Sequence, residues 1–348
     1  MFRDLADLRP AALEAALVGA GAATGTLTEA RAEPVEDGAG FLSTLARVHL
    51  VWDGEGPSSV VAKLPASIPA NQEIVDRFGY DRREAGVYRE LRPWERAPAP
   101  RVLAQHWDDT AGRGWLLLED LGDHHAGDSI VGATDSEAIA VAHTLARWHA
   151  AYWNDPTLVD HAWLPAVTDP VVAGYGQIFD ITWSMCVDKL GDLAPDVADA
   201  AVEGRTWFDV AVDEFSRGDR TVVHGDARLD NFRFGPDGAV ALDFQLAALG
   251  RGVYDLAFFC AGSLTTEDRR RLEPDLLDEY GDTLDGLGIA VEKDRLWRDY
   301  RLGHMLNLPN PVSAIAVVTP ADERGAEFLR RNAIRGLTAV ADHVALLG

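Results

Sequence analysis

Cysteine is almost absent: the 348 residues hold two, Cys186 and Cys260. Both lie in apolar stretches, ITWSMCV and LAFFCAG, and read as core residues. No disulfide framework is indicated, and a reducing cytoplasm is the expected compartment. Lysine is scarce too, with Lys63 the only one before residue 189. Basic charge is in deficit: 32 Lys and Arg stand against 56 Asp and Glu, a formal net charge of -24. General nucleic-acid binding, which rests on neutralising phosphates, is thereby excluded. The acids are spread along the chain and read as a solvated acidic surface. No stretch of about 18 uncharged apolar residues is present, so no membrane span is expected. The N-terminal MFRDLADLRPAALEA carries acids and no long apolar run, so it does not read as a secretory signal. Internal repeats and low-complexity linkers are also missing.

What remains is a chain 47% hydrophobic with ten tryptophans and twelve phenylalanines, which argues for a folded protein of roughly two domains. Residues 10–20 read as a short helix opened by Pro10. Strand patterns follow at 26–36, 43–52 and in SSVVAKLP, joined by the glycine-bearing links DGAGFL and DGEGPS. Residues 71–93 read as one helix, with Ile74, Phe78, Tyr88 and Leu91 on one face. Two more strands are expected in 98–107 and 112–122. After Gly122 helical spacing takes over, first at 135–153, then through 170–217 and 253–348. FRF, the turn residues Pro236, Asp237 and Gly238, and AVALDFQ form a hairpin pattern. The expectation is an α+β fold of two lobes: a β-rich N-lobe, 1–121, with five strands and one helix, and a helix-rich C-lobe, 122–348.

The chemistry concentrates in VVHGDARLDNFRF (222–234), where an apolar strand runs into His224, Gly225 and Asp226. Asn231 stands five residues past Asp226, the separation of the Asp and Asn in a protein-kinase catalytic loop. Phosphoryl transfer needs a carboxylate to take a hydrogen bond from the attacking hydroxyl and an amide oxygen to hold a divalent cation nearby. Asp243, twelve residues on in DFQ, supplies a second acidic ligand. Asp and Asn oxygens suit Mg²⁺ bridging nucleotide phosphates, and no Cys/His spacing here favours zinc.

HGDARLDN, then LDFQ, then GRGVYDLAFF, resembles the aminoglycoside phosphotransferase and choline kinase-like superfamily. Within it, DFQ and VYDLAFF resemble most the ecdysteroid kinase-like branch. The resemblance covers about residues 35–310. It implies a two-lobed protein-kinase-like fold that uses ATP and Mg²⁺ to phosphorylate a hydroxyl of a small molecule. Carried onto this chain, it makes Asp226 the catalytic base, Asn231 and Asp243 the metal ligands, His224 a support behind the loop, and Asp255 a brace for loop backbone. Arg228 departs from the His common at that position in aminoglycoside phosphotransferases, and DFQ from the DFG of protein kinases. Neither departure removes a metal ligand.

A kinase-like N-lobe also needs a third-strand lysine for the nucleotide phosphates, and Lys63 has no rival there. Glu84 is the expected helix partner, with Glu73 as runner-up. The loop 37–44, with Gly38, Gly40 and Ser43, is expected over the phosphates. The connector LLLEDLG offers the backbone of Glu119 and Leu121 to the nucleotide base. Trp153, Trp183, Trp297, His304 and Asn307 are candidate linings for the acceptor. The branch resemblance implies an apolar, sterol-like alcohol; the alternative is an aminoglycoside or choline-type amino alcohol. Two other classes compete: a nucleotide-binding pseudokinase without catalysis, and a metal-dependent hydrolase using His224, Asp226 and GDHHAGD (122–128). The oligomeric state leaves no mark in the sequence.

Overall fold

A computed structural model describes residues 2–35, 42–320 and 322–348. The chain divides into two compact units. One reaches to Glu95 and resumes from Ala99 to His124; the other comprises Arg96–Pro98 and His125–Gly348.

The first unit is built on five antiparallel strands: β1 (Thr26–Pro34), β2 (Ser43–Asp53), β3 (Ser59–Pro65), β4 (Val102–Asp108) and β5 (Arg113–Glu119), in the order β1-β2-β3-β5-β4. Alternation sends Ala46, Val48 and Leu50 of β2 and Val60, Ala62 and Leu64 of β3 into one buried cluster. Helix α1 (Pro10–Gly19) closes that cluster with Leu13 and Leu17, one turn apart and fully buried. Each such leucine contributes about 2 kcal/mol of burial. Lys63 lies in β3, the middle strand, paired with Leu45 on one side and Leu116 on the other. Its alternation places it on the sheet face opposite Ala62 and Leu64, where it is nevertheless buried.

The helix expected over 71–93 is interrupted. Helix α2 (Pro69–Phe78) ends at Gly79, and α3 (Tyr80–Gly86) starts directly after it. Gly79 has φ 68°, a left-handed conformation that glycine enters without the Cβ penalty, so the axis changes there. A wide π-type turn, Val87–Leu91, follows and buries Tyr88 and Leu91, while Ile74 of α2 is exposed. The single apolar stripe is therefore divided between segments with different facings.

The second unit carries β6 (His125–Ala126), α4 (Asp135–Ala151), α5 (Pro170–Ala173), α6 (Tyr175–Leu190) and α7 (Pro195–Phe215). The short strands β7 (Thr221–Val223), β8 (Phe232–Gly235), β9 (Gly238–Ala241) and β10 (Ala248–Gly250) follow. The chain closes with α8 (Val253–Ser263), α9 (Thr266–Gly286), α10 (Lys293–Asn307), α11 (Pro309–Val317) and α12 (Glu323–Val344). Strand β7 pairs with β10, and β8 with β6 and β9. Thr134 and Glu137 form a reciprocal capping box that starts α4. Phe179, Phe208, Met305, Leu337 and Val340 belong to one apolar cluster shared by α6, α7, α10 and α12. Among the described residues no helix is long and apolar enough to cross a membrane. Burial pushes the Cys186 thiol up to about 11 and Cys260 to about 12, consistent with two inert core residues.

Candidate active site

Strand β7 delivers His224, Gly225 and Asp226 onto a frame anchored by α4 and α8. Trp148 Nε1 donates to the Val222 carbonyl at 2.6 Å, and Thr221 Oγ1 donates to the His149 carbonyl at 2.7 Å. Asp255, in the first turn of α8, has no solvent exposure. Its Oδ2 accepts the His224 N–H at 2.6 Å, and its Oδ1 accepts the Gly225 N–H at 3.0 Å. His149 Nε2 meets Oδ2 at 2.9 Å, and His149 Nδ1 meets the Tyr280 hydroxyl at 2.9 Å. A carboxylate buried without such donors would be very costly, so this arrangement fixes the loop backbone.

Gly225 is required where it stands. Its φ is 81°, and a Cβ would lie 2.1 Å from the Leu246 carbonyl oxygen. His224 Nε2 lies 2.8 Å from the Leu242 carbonyl, while Nδ1 accepts the Asp226 N–H at 3.3 Å. These partners assign the proton to Nε2. The ring thus links the loop to the strand end that precedes Asp243.

Asn231 is buried, and its Nδ2 donates to both the carbonyl and Oδ2 of Asp226, at 2.9 and 3.0 Å. Its Oδ1 makes no hydrogen bond among the described residues. The Leu242 N–H donates to the Asn231 carbonyl at 2.8 Å, which ties Asn231 beside the residue next to Asp243. Asp243 has φ 64°, one of three non-glycine residues with positive φ among those described. Sparse backbone conformations of this kind are held by their surroundings and gather at functional sites. An uncommitted amide oxygen and a carboxylate on adjoining segments are hard donors of the type magnesium takes.

Arg228 sits two residues past Asp226, its Nε 3.5 Å from Asp226 Oδ2. The carboxylate of Asp226, helped by Asp230 and Asp243, raises its pKa further above the ordinary guanidinium value. Tyr254 is also raised, by burial first and then by Asp255, Tyr175 and Asp226.

In the first unit, Lys63 Nζ lies 2.6 Å from Glu84 Oε2, and both side chains are buried. Glu73 is exposed on α2. Ser43 opens β2 and lines a recess together with Lys63, Glu84, His106 and Trp115. Gly38 and Gly40 lie outside the described residues. The Glu119 N–H donates to the Arg101 carbonyl at 2.8 Å, so it is not available to a nucleotide base. The Leu121 carbonyl accepts the His124 N–H at 3.2 Å, whereas the Leu121 N–H has no partner among the described residues.

The residues expected to line an acceptor pocket all lie in the second unit. Trp153 lines a small cavity with Asp219, Arg251, Tyr280 and Asp299. Trp183 stacks on Phe179, and Trp297 packs edge-on against Tyr300. His304 is buried, stacked parallel on His343 at 4.7 Å, because its face of α10 turns toward α12. Asn307, also buried, accepts a hydrogen bond from Asn310 at 2.9 Å.

The His pair of GDHHAGD does not converge. His124 Nδ1 meets the Leu121 carbonyl at 2.7 Å, and His125 Nε2 meets Glu137 Oε1 at 3.1 Å. Glu273, His304 and His343 bring possible ligand atoms within 4.8 Å of one another. The Arg269 guanidinium, however, donates to Glu273 Oε2 at 2.9 Å and lies 3.5 Å from His343 Nε2. A buried cation on the same carboxylate oxygen opposes a dication, and the group reads as a packed charge network.

His149 is the site residue that sequence reading passed over. In LARWHAAYW it reads as core packing, and it is indeed buried. A histidine inside an apolar helical stripe still needs polar partners, and that was the available signal.

A model of a family described as "Phosphotransferase enzyme family" matches residues 41–290. No curated protein matches the sequence. Among solved structures, an ethanolamine kinase of Plasmodium vivax is similar at 12% identity and TM-score 0.58, covering 89% of this chain and 81% of its own. A choline kinase of Cryptosporidium parvum is similar at 10% identity and TM-score 0.54, covering 91% and 88%. The GDP complex of an aminoglycoside 2'-phosphotransferase-IIIa is similar at 14% identity and TM-score 0.51, covering 92% and 94%. At these identities the likeness is one of fold.

Proposed function

The chain belongs to the phosphotransferase enzyme family, and from that premise we propose that it transfers the γ-phosphoryl group of ATP to a hydroxyl of a small molecule. The observation that carries the reading is the Asp226–Asn231 pair, joined at 3.0 Å and braced by Asp255. In this reading Asp226 orients the acceptor hydroxyl and takes its proton. Asn231 Oδ1 and Asp243 would hold magnesium, which when bound neutralises charge on the nucleotide phosphates. Lys63, oriented by Glu84, contacts the phosphates, and the free Leu121 N–H receives the nucleotide base. Gly38, Gly40 and Ser43 complete the phosphate-binding assignment, and His224 and Asp255 hold the loop. The first unit thus serves the nucleotide and the second the chemistry and the acceptor. Catalysis is mostly positioning and charge neutralisation. The two buried free cysteines support a cytoplasmic setting.

For the acceptor, the sterol-like alcohol and the ecdysteroid kinase-like branch rest on DFQ and VYDLAFF alone. The amino-alcohol alternative accords with the named similar structures, which are choline, ethanolamine and aminoglycoside enzymes. Amino alcohols are therefore the first acceptors to test, followed by sterols. The experiment is an ATP-turnover screen across alcohols, with Asp226→Ala alongside. Transfer by the native chain, with its loss and preserved nucleotide binding in Asp226→Ala, supports the reading. Transfer at the native rate by Asp226→Ala overturns the mechanism. Nucleotide binding without transfer to any alcohol makes the chain a pseudokinase.

A further inference from the structure

We propose that Arg228 contacts the phosphoryl group during transfer, as a catalytic cation supplied by the chain itself; this rests on the reading of Asp226 as the base. The loop fixes where Arg228 starts. Its N–H donates to the Asp226 carbonyl at 2.8 Å, and its own carbonyl accepts the Asn231 N–H at 2.9 Å. The residue is therefore clamped between the proposed base and the proposed metal amide.

Its guanidinium is underused by the protein. The one ion pair it makes among the described residues is the 3.5 Å approach to Asp226, and Nε forms no hydrogen bond. The side chain is 27% exposed, although its Nε atom is buried. A planar guanidinium presents five N–H donors in a fork that matches phosphate oxygens. A structural arginine in this protein behaves differently: Arg335 donates to the carbonyls of Ser129 and Ile130. Arg228 has donors to spare and carboxylates that keep it charged.

The charge arithmetic points the same way. A transferring phosphoryl group spreads negative charge over its non-bridging oxygens and must approach a carboxylate base. Asp226 alone would repel it, whereas Asp226 with Arg228 is a neutral pair. Of the two other carboxylates acting on Arg228, Asp230 accepts from Ser129 Oγ at 2.6 Å, and Asp243 is the one assigned here to magnesium. In the step, the acceptor hydroxyl gives its proton to Asp226 and its oxygen bonds the γ-phosphorus. The bond from that phosphorus to the β,γ-bridging oxygen breaks, and ADP leaves with the electron pair. Arg228 neither gains nor loses a proton and donates to the non-bridging oxygens throughout.

The test compares Arg228→Ala, Arg228→Lys and the native chain, with melting temperature measured for each. Arg228→Ala should lower kcat about 100-fold or more, with KM for acceptor and Kd for ADP within about threefold of native. Arg228→Lys should recover part of kcat, and added guanidinium should partly rescue Arg228→Ala. Affinity for ADP with aluminium fluoride, a mimic of the group in flight, should fall about 100-fold in Arg228→Ala while ADP alone binds as before. A folded Arg228→Ala with native kcat, or with equal losses for ADP and its aluminium fluoride complex, overturns the proposal and leaves the Asp226 reading intact. Absence of transfer by the native chain to any alcohol fails the underlying reading instead.

Discussion

Lys63 and Glu84 face each other as opposite charges at 2.6 Å, whereas Asp255 faces two backbone N–H groups and an imidazole. The first arrangement joins two side chains within the first unit. The second joins a side chain of α8 to the backbone of another segment and, through His149, to α4. Removing either side chain from the first leaves its buried partner without the opposite charge. Removing Asp255 leaves three groups without their partner, spread over the loop that carries Asp226 and helix α4.

That contrast can be broken experimentally. Asp255→Ala should have the largest effect: two backbone donors and His149 lose their acceptor inside a dry core, costing about 3–5 kcal/mol. Urea unfolding reads it, and phosphoryl transfer should vanish with it. Glu84→Gln comes next, at about 1–3 kcal/mol, with weaker nucleotide binding seen by calorimetry. The sharper form is the double change Lys63→Met with Glu84→Leu, which should recover most of that stability, since a buried pair exchanged for apolar residues is often neutral. Recovery would mark the pair as retained for nucleotide binding; failure to recover would erase the distinction between the units. Thr134→Ala should be the smallest, about 1 kcal/mol from loss of the α4 cap, with nucleotide affinity unchanged. A larger loss there would mean that the start of α4 supports the loop as much as Asp255 does.

The strands of the first unit were legible because period-2 alternation over seven or more residues has few competing explanations, and Lys63 was legible because no other lysine was near. The break at Gly79 was less so: residues on both sides suit a helix, and only the glycine's left-handed backbone separates them. Strand β7 was readable from the valines ahead of His224, but its partner β10 has three residues and pairs with it across more than twenty positions, so no local pattern reveals that pairing. HGD with Asn231 and Asp243 was readable as a spacing. The supports His224 and Asp255 were expected from the resemblance, whereas His149 and Tyr280, which stand behind Asp255, were not, because they reach it only through tertiary packing. Arg228 was readable as an oddity, and its meaning needed the distance to Asp226.

Asp243, with its left-handed backbone, carries a consequence beyond chemistry. A glycine would sit there without strain, and an aspartate gives up about 1 kcal/mol of foldedness to stay. Local preference and global demand disagree at this residue, as they do among the described residues at Arg92 and Asn154. The fold is therefore tuned below its own stability optimum at one identifiable backbone angle, and a thermostabilising screen that ignored activity would be drawn to that position.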